Sequence, residues 1–427
     1  MNSRISARKY GFGRLPDHGI RRRNPRIRHY DPVNPAPAAP EPAPPGGWPE
    51  HLATPAGKPR ARSLGLPLPG RPGRWNAITD VPGVEVGYLT LIEGESVRTG
   101  VTAIHPRGRD GAGDPVTAGM HAQNGNGEMT GTAWIAESGT FAGPVAITNT
   151  HAVGAAHTGV VAWTAQRHPQ AAAAWLLPVV AETYDGYLND INGLAVSPDL
   201  AREALDGAAS GPVEEGSVGG GTGMNCYGFK GGSGTASRIV PFAGDDWTVG
   251  VFLQANFGSR EELTVAGVPA GRLLRADNPL AEFRFAPPGA GSVIVVVATD
   301  APLLPGQCQA LARRVTIGLA RTGTAGSHFS GDLFLAFSTG NPGAFPAGAA
   351  ALSPDAGTGY GSLRFIGWPF LDPFFTAVAE ATEEAVLNAL IANEDMTGRD
   401  GHRSPALPRP QLASLLRGAG GAGGTGG

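Results

Sequence analysis

The run Ser292-Val293-Ile294-Val295-Val296-Val297-Ala298-Thr299-Asp300 constrains the fold more than any other stretch of the chain. It is continuous, rich in β-branched residues and uncharged up to Asp300, and Pro287-Pro288-Gly289-Ala290-Gly291 precedes it as an irregular loop. Such a run, with no alternation of polar and apolar residues, reads as a strand covered on both faces. A serine therefore stands at the mouth of a rigid strand, behind a glycine that leaves its carbonyl unshielded. Attack of the Ser292 hydroxyl on the Gly291 carbonyl would break the chain. It would leave Ser292 as a new N-terminus, with a hydroxyl nucleophile and an amine base on one residue. Gly-Ser pairs also open strands as plain loop junctions, and local sequence alone favours that commoner meaning.

The 427 residues include 33 basic and 36 acidic side chains, a formal charge of −3. This balance directs the chain to neither nucleic acid nor an anionic membrane surface. Gly (65) and Pro (38) make up about a quarter of the chain, near the level of low-complexity sequence. Much of the excess lies at the ends. Residues 1–60 are Arg- and Pro-rich around Pro35–Pro45 and are expected to form a disordered extension. Residues 411–427 are expected to be a flexible Gly-rich tail. A single domain over 61–410 remains, ample for a large core. No apolar run follows Arg21-Arg22-Arg23, so no export signal is read, and no stretch has the length of a membrane span. Two cysteines, Cys226 and Cys308, exclude a disulfide framework and suggest a reducing, cytoplasmic setting. The ten histidines show no HExxH or HxH spacing, so neither a metal nor another cofactor is expected.

From Trp75 onward, short strands and Gly-rich turns alternate with helices. Val84–Leu91, Gly143–Thr150, Trp247–Asn256 and Asp332–Thr339 read as strands, and Phe283–Ala286 as a weak one. Gly154–Gln166, Gln307–Arg321 and Phe374–Ala392 read as helices. Ser197-Pro198 is an N-cap followed by a first-turn proline. The order is not strict βαβ alternation, which favours a layered α/β fold with sheets packed between helices.

The glycine tract Gly216–Gly223 fails the Walker pattern, because Lys230 follows Phe229 and precedes Gly231; a tight, close-packed loop is the expectation. Tyr184, in Glu182-Thr183-Tyr184-Asp185-Gly186-Tyr187, and Asn256, at a strand end, are compatible with pocket roles. Core satisfaction and turn formation are the commoner jobs of Tyr and Asn. Ser327-His328-Phe329-Ser330-Gly331-Asp332 gathers hydroxyl, imidazole and carboxylate at a strand entrance, where His328 is a candidate base of a Ser-His-Asp triad.

Six separated motifs follow one another in a family order: Asn76–Val84, Gly143–His151, Glu182–Asn192, Gly219–Met224 with Phe229–Gly232, Ser292–Leu303, and Ser330–Asp332. From about Trp75 to Gly398 the chain resembles the L-aminopeptidase/D-esterase (DmpA-like) family, which includes the β-peptidyl aminopeptidases. The resemblance implies a four-layer αββα sandwich, like that of N-terminal-nucleophile hydrolases but with its own connectivity. It implies self-cleavage between Gly291 and Ser292, and catalysis by Ser292, Ser330 and Asp332 with support from Tyr184 and Asn256. Some members carry Glu where this chain has Asp332. It gives His328 no role, so the triad is abandoned. The implied activity is an aminopeptidase acting on small peptides, amino-acyl amides and esters through an acyl-enzyme on Ser292, in a homo-oligomer of processed two-chain units. An acyltransferase of the ornithine acetyltransferase class, which uses threonine, and a non-catalytic Gly-rich scaffold are the alternatives.

Overall fold

The structure is a computed structural model and describes residues 48–173, 175–282, 291–345 and 360–422. The loop 287–290, the weak strand at 283–286, residues 1–47 and residues 423–427 lie outside the described residues. In chain order the strands are β1 (Glu85–Glu93), β2 (Val97–His105), β3 (Val116–Gly125), β4 (Thr140–Phe141), β5 (Val145–Asn149), β6 (Val179–Thr183), β7 (Asn225–Cys226) and β8 (Phe229–Lys230). They continue with β9 (Gly232–Phe242), β10 (Asp245–Asn256), β11 (Gly291–Thr299), β12 (Ser330–Ser338), β13 (Met396–Thr397) and β14 (Arg403–Ser404). Two main sheets result, in the orders β1-β2-β5-β6 and β4-β3-β12-β11-β10-β9.

The apolar residues of each strand divide between its two faces, and that division builds four layers. Ile294, Val296 and Ala298 of β11 pack against Ile104, Val145, Ile147 and Ala181 between the sheets. Val293, Val295 and Val297 pack the opposite way, with Leu311 and Val315 of the helix Pro305–Arg321 and with Val378 and Val386 of the helix Asp372–Ile391. The smaller sheet turns Ala103, Ala146 and Val180 outward onto Ala156, Val160 and Trp163 of the helix Val153–Arg167 and Leu205 of the helix Pro198–Asp206. The uninterrupted run in β11 is thus explained: both its faces lie in dry core, where each fully buried Val or Ile contributes about 1.5–3 kcal/mol. Ser197 caps its helix as expected, accepting from the Leu200 N–H at 3.3 Å.

Both ends of the domain differ from the sequence expectation. Pro49–His51 forms a helical turn, Ala53 bridges Pro59, and Arg60 is 2% exposed. Its guanidinium meets Glu215 at 2.7 Å and also donates to the Asn76 and Thr235 carbonyls. Composition marked this stretch as unable to bury apolar area, but it is held by a buried ion pair instead. At the other end Arg409–Ala422 is helical, and Leu412 is buried in the main core.

The glycine tract is close-packed between the sheets, as expected. Gly219 has φ +56°, and a Cβ on Gly221 would lie 2.4 Å from the Ser233 nitrogen. Among the described residues, no helix is long and apolar enough to cross a membrane.

Candidate active site

Strand polarity brings distant residues to one edge. β11 and β12 are parallel neighbours linked through the helix Pro305–Arg321, so both begin at the same end, with Gly291 opposite Ser330, Ser292 opposite Gly331 and Val293 opposite Asp332. β10 runs antiparallel to β11 and finishes there, pairing Asn256 with Ser292. β5 and β6 are also parallel, and β6 ends one residue before Tyr184.

Ser292 is 2% exposed in the intact chain. Its Oγ accepts from the Tyr184 backbone N–H at 3.2 Å. The Tyr184 carbonyl accepts from Asn256 Nδ2 at 2.9 Å, and Asn256 Oδ1 accepts from the Asn225 N–H at 2.9 Å. With its oxygen held by an N–H, the Asn256 amide can present only its NH2 toward Tyr184, which leaves a second N–H for the site. The sequence pointed to the Tyr184 side chain. The fold turns the Tyr184 peptide unit toward Ser292 and leaves Tyr184 as a residue 46% exposed.

Ser330 and Asp332 form a pair of their own. The Ser330 hydroxyl donates to Asp332 Oδ1 at 2.6 Å, and Asn124 Nδ2 donates to Oδ2 at 3.1 Å. Burial raises the Asp332 pKa above its ordinary value, against the hydrogen bonds from Ser330, Asn124 and the Val293 N–H that favour the anion. Among the described residues no hydrogen bond joins the Ser330 and Ser292 side chains; register alone makes them neighbours. Sequence reading missed Asn124. It is aimed at Asp332 by an irregularity that skips Gln123, where Asp332 faces Asn124 and Leu333 faces Ala122. The available signal was Asn124-Gly125-Asn126-Gly127, a turn-prone sequence that begins in the last two residues of β3.

Glu182 is a second buried carboxylate at this edge. It accepts from the Glu128 N–H at 2.9 Å and from the Thr150 hydroxyl, and burial raises its pKa. It has no ion-pair partner among the described residues. Gly127 lies between it and the entry of β12: a Cβ there would sit 3.2 Å from both Glu182 Oε1 and Gly331 Cα. His328 packs edge-on against Phe329, with ring centroids 5.2 Å apart. No group of three or more His, Cys, Asp or Glu among the described residues is placed to hold a metal ion.

This geometry, a buried serine at a strand mouth ringed by backbone and amide donors, can be compared with known proteins. Residues 76–404 match the model of peptidase family S58. The chain belongs to peptidase family S58. Beta-peptidyl aminopeptidase BapA of Sphingosinicella microcystinivorans is 49% identical over 378 residues, covering 84% of this chain and 92% of that protein. BapA of Sphingosinicella xenopeptidilytica is 43% identical, covering 84% and 91%. Among solved structures, the L-aminopeptidase D-Ala-esterase/amidase of Ochrobactrum anthropi superposes with a TM-score of 0.79 at 48% identity, covering 85% of this chain and 99% of that one. A Burkholderia sp. β-aminopeptidase gives 0.76 at 46%, covering 84% and 99%. This S58 chain is a hydrolase, a serine aminopeptidase built on a variant of the N-terminal-nucleophile fold. The acyltransferase and scaffold alternatives give way to that assignment.

Proposed function

We propose that the chain cuts itself between Gly291 and Ser292 and then hydrolyses short peptides, amino-acyl amides and esters through an acyl-enzyme on Ser292. The observation that carries this reading is the Ser292 Oγ, held by the Tyr184 N–H at the mouth of β11 while itself almost wholly buried. A nucleophile so enclosed stands beside its own Gly291 carbonyl, and cutting there frees the amine that turnover needs. In self-cleavage, Oγ adds to the Gly291 carbonyl carbon, the C–N bond breaks, and water hydrolyses the resulting ester. The products are a Gly291 carboxylate and a free Ser292 amine.

That amine, with a reference pKa of about 7.7–8.0, takes the Oγ proton during turnover and returns it to the leaving group. The free N–H of Asn256 stabilises the tetrahedral oxyanion, a contribution typically of about 2.7–4 kcal/mol. Ser330 and Asp332 orient the new amine. Glu182, a buried carboxylate without an ion-pair partner among the described residues, receives the substrate's ammonium group, so that only acyl groups bearing a free amine are positioned for attack. The relatives' names point to β-amino acyl, L-amino acyl and D-alanyl substrates, and processed two-chain units are proposed to assemble as homo-oligomers.

The test is a denaturing gel and mass spectrum of purified protein alongside Ser292→Ala, with amino-acyl p-nitroanilide turnover as the activity. Two fragments meeting at 291/292, and an intact inactive variant, are expected. Full-length wild-type protein that turns over the substrate would overturn the proposal.

A further inference from the structure

We propose that Lys230 is a positioning residue for this reaction, acting through the Met224–Asn225 peptide to hold the Asn256 amide in place. The inference rests on the role given to Asn256 above.

Lys230 is completely buried, and its ammonium donates to the carbonyls of Met224 and Gly231, both at 2.8 Å. No carboxylate forms an ion pair with it among the described residues. Burial lowers its pKa to about 7, and Lys58 pushes the same way while Asp185 opposes. A lysine stripped of water and given two backbone carbonyls in place of a counter-ion is costly. What it touches indicates what that cost sustains.

Met224 C=O and Asn225 N–H are the two ends of one peptide plane. Among the described residues there are no cis peptide bonds, so these groups point in opposite directions. Lys230 holds the carbonyl end, and the N–H end donates to Asn256 Oδ1 at 2.9 Å. Asn256 Nδ2 reaches the Tyr184 carbonyl at 2.9 Å, and the Tyr184 N–H reaches Ser292 Oγ at 3.2 Å. A continuous chain of hydrogen bonds thus runs from the ammonium to the nucleophile. The donor at Met224 orients this peptide and, in its protonated form, also polarises it, making Asn225 N–H a better donor. The Gly231 N–H bonds the same Met224 oxygen at 2.9 Å, so the lysine supplies the second, charged bond there.

The hairpin itself has other supports. Lys230 pairs with Asn225 across β7 and β8, its N–H donates to the Pro405 carbonyl at 2.7 Å, and Asn393 Nδ2 holds the Lys230 and Gly231 carbonyls. Removing the ammonium therefore leaves the backbone scaffold standing while freeing one peptide plane to tilt.

The experiment is a double-mutant cycle of Lys230→Met and Asn256→Ala, with kcat and KM measured on an amino-acyl p-nitroanilide for the fraction of chain cut before Ser292. Lys230→Met is expected to lower kcat by about 10- to 100-fold, the size of loss a small misplacement produces, with KM changed less than about threefold. The double variant is expected to be no slower than Asn256→Ala alone, because the lysine acts through that amide. An Asn256→Ala enzyme with normal kcat would overturn the role of Asn256 itself. A slow Asn256→Ala beside a normal Lys230→Met, or losses that multiply in the double variant, would overturn only the role of Lys230. If Lys230→Met does not fold, Lys230→Gln carries the same cycle with an uncharged, shorter donor group in place of the ammonium. Failure of both to fold would make the lysine a residue of the core and end the proposal.

Discussion

A Cβ on Gly291 would lie 2.0 Å from the backbone carbonyl oxygen of Asn256, closer than any real side chain approaches a backbone. The glycine before the nucleophile is therefore a packing requirement of the β10–β11 pair as well as an unshielded carbonyl. Gly291→Ala should displace the start of β11 from Asn256 and slow self-cleavage by about 100-fold or more. A time course on denaturing gels measures it, and cleavage at the wild-type rate would contradict the close fit.

Asp332→Asn should keep the fold and lose most of the turnover, about 100-fold in kcat, because the Ser330 hydroxyl loses the anion that orients it. Burial raises the Asp332 pKa, so the wild-type chain pays for the charged form in the folded state. The stability this group contributes is fully present below the unfolded carboxyl pKa of about 3.9, and it is lost as pH rises through the higher folded value. The Tm of Asp332→Asn relative to wild type should therefore improve from pH 4 toward pH 7. A constant difference would mean that the carboxylate is not desolvated.

Glu384 presents the opposite sign. Burial pushes it up, but the Arg238 and Arg62 guanidiniums and the Asn76 amide outweigh burial and bring it down to about 2. It accepts from Arg238 at 2.8 Å and from Arg62 at 2.7 Å. Its contribution is full above the unfolded value of about 4.3 and is lost as pH falls toward 2. Glu384→Gln should cost about 3 kcal/mol at pH 7, by leaving the buried Arg238 and the partly buried Arg62 guanidiniums short of charge, and less at pH 3. Urea melts at the two pH values decide this, and an equal loss at both would remove the ion pairs as the cause.

What was legible followed apolar pattern. β10, β11, β12 and the long helices announced themselves because their cores are made of Val, Leu, Ile and Phe. β9 did not, since Gly-Ser-Gly-Thr-Ala-Ser-Arg carries neither alternation nor bulk. Its burial depends on close approach, with a Cβ on Gly234 falling 2.0 Å from the Ala385 carbonyl of the covering helix, and on Arg238 meeting Glu384. Within the site, Ser292, Ser330 and Asp332 were readable as a motif. The Tyr184 and Asn225 N–H groups were not, because a backbone donor leaves no mark in side-chain identity. Asn124 depends on a strand irregularity that shows only once β3 and β12 are paired.

The same limit of composition governs the N-terminal boundary. Residues 48–60 are as rich in Pro as what precedes them, yet Arg60 is 2% exposed and pairs with Glu215, itself fully buried. Burial raises the Glu215 pKa even though Arg60 opposes it, so without the guanidinium this carboxylate would have to take up a proton or remain an unpaired buried charge. Glu215 also accepts from the Thr235 N–H at 2.9 Å, which ties the N-terminal segment to β9 and, through its pairing, to β10, the strand that carries Asn256. Arg60→Met should accordingly cost about 3–5 kcal/mol, the usual loss when one partner of a buried pair is removed. Deleting residues 1–60 should destabilise the domain at least as much. Deleting only residues 1–47, whose composition cannot support a core, should leave Tm, self-cleavage and turnover at full-length values. Thermal melts and p-nitroanilide rates of the two truncations separate the cases: equal behaviour of both would place the boundary elsewhere, and a loss in the shorter deletion would mean that residues before Trp48 also pack on the domain.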